Sequence, residues 1–98
     1  MKDRMLDSVF NLREVKERIG YVDKLTKGKH KIKLIVYAEP TKDQPYYWIK
    51  VWEDNGISMV THFDFFAYPK PFTIKVYDSA EDAEISLEEW RQQRKTSQ

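Results

Sequence analysis

His62 and Asp64 stand two residues apart in a stretch that alternates like extended chain, so both side chains are expected on one face of a strand. A histidine beside a carboxylate is the pairing of a general base with its orienting acid. Lys75 and Tyr77 repeat the spacing in a later stretch and are expected close by. Catalysis needs more than this. No nucleophile stands in a recognisable pattern beside the pair, and no glycine-rich anion loop accompanies it. His30, His62 and Asp64 do not have the spacing of a metal-ligand set. Polar residues at i and i+2 on a strand are ordinary structure, so the expectation is a non-enzyme. No catalytic, metal-binding or cofactor-binding residue is assigned, and no cofactor is expected.

Trp48, Lys50 and Trp52 form a second constellation, aromatic rings interleaved with a cation. On a sheet such a row can stack single-stranded bases or anchor a protein partner. A net charge of +1 gives no global attraction to nucleic acid, and no glycine–aromatic RNA-binding motif is present. Charge is also segregated. Lys24, Lys27, Lys29, Lys31 and Lys33 form a basic stretch, and Asp78, Glu81, Asp82, Glu84, Glu88 and Glu89 an acidic one. These are two solvated faces, two mutually attracting segments, or surfaces for charged partners. The acidic stretch argues against a nucleic-acid path, so a protein partner or self-association is the expectation ahead of single-stranded nucleic acid.

The elements that must carry these residues follow from hydrophobic period. Met5, Val9, Leu12, Val15 and Ile19 recur at three and four, placing one helix over residues 4–19, capped by Asp3 and ended by Gly20. Asn11 offers an alternative cap for a shorter helix. The period then becomes two, with strands over 30–38, 46–53, 57–68 and 72–77. Asn55-Gly56 marks a tight hairpin between the second and third, and Pro69 and Pro71 force the next turn. Residues 78–84 read as an acidic loop. Ser86 and Glu89 make a capping box opening a short helix over 86–94, with residues 95–98 as a tail. The 98 residues hold one domain, 1–98, of the α+β class: an N-terminal helix packed on a four-stranded antiparallel meander, then a short C-terminal helix.

The strand period sorts side chains into two faces. Ile32, Leu34, Val36, Tyr47, Ile49, Val51, Ile57, Met59, Phe63, Phe65, Phe72, Ile74 and Val76 are expected beneath the helix as the core. The opposite face would show Ile35, Tyr37, Trp48, Lys50, Trp52, Val60, His62, Asp64, Phe66, Tyr68, Lys75 and Tyr77. A sheet covered on one side should be polar on the other, yet six of these twelve positions are aromatic. Either the rings pair across strands to stabilise a small sheet, or the C-terminal helix folds over them with Trp90, or they form a binding surface. The candidate binding face is Tyr37, Trp48, Lys50, Trp52, His62, Asp64, Phe66, Tyr68, Lys75 and Tyr77.

The blocks Tyr47 to Gly56, Thr61 to Phe66, Pro69, Ile74 to Asp78 and Ile85 to Arg91 together resemble PepSY-like domains of the cystatin-like superfamily, small bacterial modules whose strands end in a turn, a Tyr-Asp pair and a helix. The resemblance covers about residues 12–91 and is strongest from Tyr47 onward. It implies a cystatin-like fold and an inhibitory or binding role, often in secreted or envelope proteins. The expected function is thus a small non-enzymatic binding or inhibitory module acting through the aromatic sheet face. A structural homo-oligomer using the same face is the alternative. The chain has no cysteine, which fits either redox compartment. With no apolar run near the ~20 residues of a membrane span and no signal-peptide core at the N-terminus, the chain as given reads as cytoplasmic. An envelope or secreted location applies if an export signal was removed.

Overall fold

A computed structural model describes residues 1–96. The order is α1 (Lys2–Phe10), α2 (Arg13–Thr26), β1 (Lys31–Ala38), β2 (Tyr47–Asp54), β3 (Met59–Pro69), β4 (Phe72–Asp78), β5 (Ala83–Ser86) and α3 (Leu87–Thr96). The strands form one antiparallel sheet in the order β1-β2-β3-β4-β5. The α+β class and the meander agree with the sequence. The element boundaries differ at both ends of the chain and at the start of β3, each time for a local reason.

The single helix over 4–19 is two. Asn11 closes α1, its side-chain amide donating to the Asp7 carbonyl at 2.8 Å. Leu12 is extended at φ −64°, ψ 136° and re-launches the chain as α2. Asp3 is not a cap, because Met1 occupies that position. Gly20 does not end α2 either. The apolar stripe of Val15 and Ile19 continues to the buried Val22, and that burial outweighs the ~1 kcal/mol that an interior glycine costs a helix. The helix ends where Lys27 and Gly28 take left-handed conformations, φ 54° and 78°, and the Gly28 N–H returns to the Asp23 carbonyl at 2.9 Å.

The acidic loop contains the fifth strand. Asp78 Oδ1 accepts from the Ala80 and Glu81 amides and turns the chain back, so that Ile85 lies opposite Val76 and Glu84 opposite Tyr77. Four residues carrying one large apolar side chain give too short a period to read. Ser86 caps α3, accepting from the Glu89 N–H at 3.0 Å. The helix runs on to Thr96, so the expected tail begins later, and residues 97–98 lie outside the described residues.

All three helices lie on one side of the sheet. Met5 and Val9 of α1 and Val15 of α2 are buried with Tyr47, Ile49, Val51, Phe63, Phe65, Ala67, Val76 and Ile85. Trp90 of α3 meets Phe63 and Phe65 edge-on at 5.3 and 5.5 Å on that same side. Arg91 ties α3 to α2 by two hydrogen bonds to Glu14, at 2.8 and 3.2 Å. Glu14 is only 3% exposed. Burial alone would raise its pKa, but the hydrogen bonds it accepts and the charges of Arg91 and Arg13 hold it below the ordinary value. Trp90 therefore does not fold over the second face.

Two irregularities correct the core. Val51 pairs with Phe63, but Trp52 pairs with Thr61, so His62 is the extra residue of a bulge. The bulge reverses the phase of the start of β3. Met59 and Thr61 fall to the open face opposite Asp54 and Trp52, and Val60 moves to the helix side opposite Glu53. Met59 is thus exposed, and Ile57, 96% exposed, sits in the turn before the strand. Phe72 keeps its phase, but pairs with Pro69 at the rim of the sheet and is also exposed. A second shift in β1 makes Tyr37 the extra residue between Val36 and Ala38.

The basic and acidic stretches lie at opposite edges of the sheet, on or beside β1 and β5. Four strand spacings, about 19 Å, separate those edges, so Lys31 and Lys33 on β1 do not pair with Glu84 on β5.

Candidate functional site

Trp48 and Lys50 on β2, Asp64 and Phe66 on β3, and Tyr77 on β4 come together on the open face because cross-strand partners share a side: Trp48 with Phe66, Lys50 with Asp64. Asp64 Oδ1 accepts from the Trp48 indole Nε1 at 2.8 Å and from Lys50 Nζ at 2.9 Å. The same ammonium lies 4.7 Å from the Tyr37 ring and 4.9 Å from the Trp48 ring. Tyr37 meets Trp48 edge-on at 4.9 Å and is 56% exposed, since the bulge pushes it clear of the strand.

Phe66 is the centre of this lattice. It is 4% exposed, and its ring neighbours are Tyr46 at 4.6 Å, Trp48 at 5.4 Å and Tyr77 at 6.3 Å. Its burial comes from neighbours on the face itself, not from a helix. Tyr68 packs on Tyr46 at 5.2 Å, and Lys75 Nζ lies 5.4 Å from the Tyr68 ring. Cross-strand ring pairing is therefore real here. It uses up the faces of Phe66 and part of Trp48, and leaves Tyr37 and the rims open.

Between this lattice and the β4–β5 hairpin lies a trough of about 460 Å³, lined by Tyr46, Trp48, Lys50, Asp64, Phe66, Tyr77, Asp82, Ala83 and Glu84. Its far wall is acidic. The Tyr77 hydroxyl donates to Asp82 Oδ1 at 2.6 Å, and the Tyr68 hydroxyl to Glu84 Oε1 at 2.5 Å. The hydrogen bond to Asp82 raises the Tyr77 pKa above the usual phenol value. Burial, then the bond to Glu84, raises that of Tyr68. Both phenols therefore remain donors through the neutral range.

Eight of the ten expected face residues are assembled around this lattice: Tyr37, Trp48, Lys50, Asp64, Phe66, Tyr68, Lys75 and Tyr77. Trp52 shares the face but lies toward the hairpin end, opposite Lys33 and Thr61, and its buried indole N–H has no hydrogen-bond partner among the described residues. His62 does not belong to the face. The bulge turns it to the helix side, where Nε2 meets Glu53 Oε1 at 2.6 Å and Nδ1 meets Arg18 Nη1 at 2.7 Å. Arginine can only donate, so Nδ1 is the acceptor and Nε2–H the donor. His30 Nδ1 lies 2.5 Å from Glu53 Oε2. These two histidine hydrogen bonds hold Glu53 below its ordinary carboxyl pKa. The pairing of His62 with Asp64 is thus replaced by one with Glu53, in which both ring nitrogens are engaged. Among the described residues no cluster of three or more His, Asp or Glu side chains has metal-binding geometry.

Periodicity missed Tyr46, Asp82 and Glu84 on the trough, and Arg18, His30 and Glu53 on the other side. A signal existed for Glu53 alone: it continues the buried phase of Tyr47, Ile49 and Val51, and a carboxylate in that phase needs partners. Among the described residues no helix is long and apolar enough to cross a membrane. Comparison of the chain with protein-family models, curated proteins and solved structures finds no match.

Proposed function

We propose that this chain is a non-enzymatic binding module that presents the open aromatic face of its sheet to a protein partner. The PepSY-like pattern from Tyr47 onward supports an inhibitory or binding role within a cystatin-like architecture. One observation carries the reading: three helices share one side of the sheet, and the aromatic side has no covering element among the described residues.

Self-association through the same face is the second reading, because a second copy of the chain could cover the side that no described element covers. A photo-crosslinking phenylalanine analogue placed at Tyr37 or at Tyr21 tests both readings in cells producing the chain. Tyr21 is exposed on α2 and stands for the opposite side. The expected outcome is a heterologous adduct from position 37 and none from position 21. An adduct of twice the chain mass, with a dimer in light scattering, selects self-association. Adducts from position 21 alone contradict both.

A further inference from the structure

The composition of the trough narrows what the proposed binding face takes. Its floor is aromatic, from Trp48, Phe66 and Tyr77, and its lining holds three carboxylates against one lysine. Lys50 is committed to Asp64 at 2.9 Å, which leaves Asp82 and Glu84 without a basic partner in the lining. Each is fixed through one oxygen by a tyrosine hydroxyl. Lys75 stands on the same sheet face, but outside the lining. Phe66 is itself covered by its ring neighbours, but a pocket that joins the open parts of Trp48 and Tyr77 to oriented carboxylates suits a cation: the rings attract it through their quadrupole, and the carboxylates accept its N–H groups.

We infer that the trough between Phe66 and the β4–β5 hairpin recognises an arginine side chain of the protein partner, its guanidinium lying against the open parts of Trp48 and Tyr77 and donating to Asp82 and Glu84. Arginine fits better than lysine because its planar fork can stack on a ring and bridge two carboxylates at once. The inference rests on the open-face reading, and adds to it the chemistry of the anchor.

The test uses the intact chain, labelled with ¹⁵N, and three acetylated, amidated peptides of the form Gly-X-Gly, in which X is arginine, citrulline or glutamate. Citrulline keeps the shape of arginine and removes its charge. The arginine peptide is expected to shift the Trp48 indole and the amides of Tyr77, Ala83 and Glu84, with citrulline binding about tenfold more weakly. Glu84→Gln and Asp82→Asn, each checked for an unchanged spectrum elsewhere, are expected to weaken arginine binding about fivefold. Equal shifts from arginine and citrulline overturn the inference, as does the absence of trough shifts with arginine. A cross-linked partner at position 37 alongside either result retains the open-face reading and removes only the cationic anchor.

Discussion

Glu14 and Glu53 are the two carboxylates whose surroundings do most to fix the helices on the sheet. Glu14 is buried against Arg91, and removing that arginine leaves a buried charge short of partners. Arg91→Ala is expected to cost on the order of 2 kcal/mol, below the full value for a buried pair because Arg91 is itself partly exposed. Urea denaturation measures it, and a loss within error would show that α3 docks through Trp90 alone. Both carboxyls have folded-state pKa values below those of the unfolded chain. The unfolded state therefore takes up protons first, so their contribution is complete above the ordinary carboxyl range and is lost as pH falls through the depressed folded values. Stability of the wild type is expected to fall steeply below about pH 4.5, and Glu14→Gln with Glu53→Gln to flatten that slope. An unchanged slope in the double variant contradicts the assignment.

At the scale of elements, what the residues disclosed depended on whether one period governed the whole element. β2 and β4 keep strict alternation, and their core residues Ile49, Val51, Ile74 and Val76 were legible. In β3 the alternation breaks at His62. No residue type announces that bulge, so the sequence placed Met59, Val60 and His62 on the wrong sides, and it counted the turn residue Ile57 into the strand. Helices were legible by stripe and illegible at their ends, because Asn11 and Gly20 each allow more than one role. Gly20 offers a direct check. It lies within α2, and an added Cβ there meets nothing within 4 Å, so Gly20→Ala should stabilise by about 0.5–1 kcal/mol. A lower melting temperature would mean that the helix ends at Gly20. Ser86→Ala should remove the α3 cap and cost about 1 kcal/mol, read by the same thermal melts. A change within error would show that α3 needs no cap.

For the whole molecule, the decisive property is asymmetry: helices on one side, and an aromatic lattice with an acidic rim on the other. The candidate site was half legible. Strand period gave Trp48, Lys50, Asp64, Phe66 and Tyr77, whereas Asp82 reaches the trough from a turn and Glu84 from a four-residue strand that carries no readable pattern. The basic edge at β1 and the acidic edge at β5 also make the charge distribution lopsided despite a net charge of +1, so binding through the acidic rim should weaken with added salt. Titrating the arginine peptide at two ionic strengths checks this, and salt-independent affinity would contradict it. Hydroxyl-radical footprinting of the dilute protein, read residue by residue by mass spectrometry, tests the open face most directly. Tyr37 is expected to be modified as readily as the exposed Tyr21, with Phe65 protected. Protection of Tyr37 to the level of Phe65 would contradict an uncovered aromatic face.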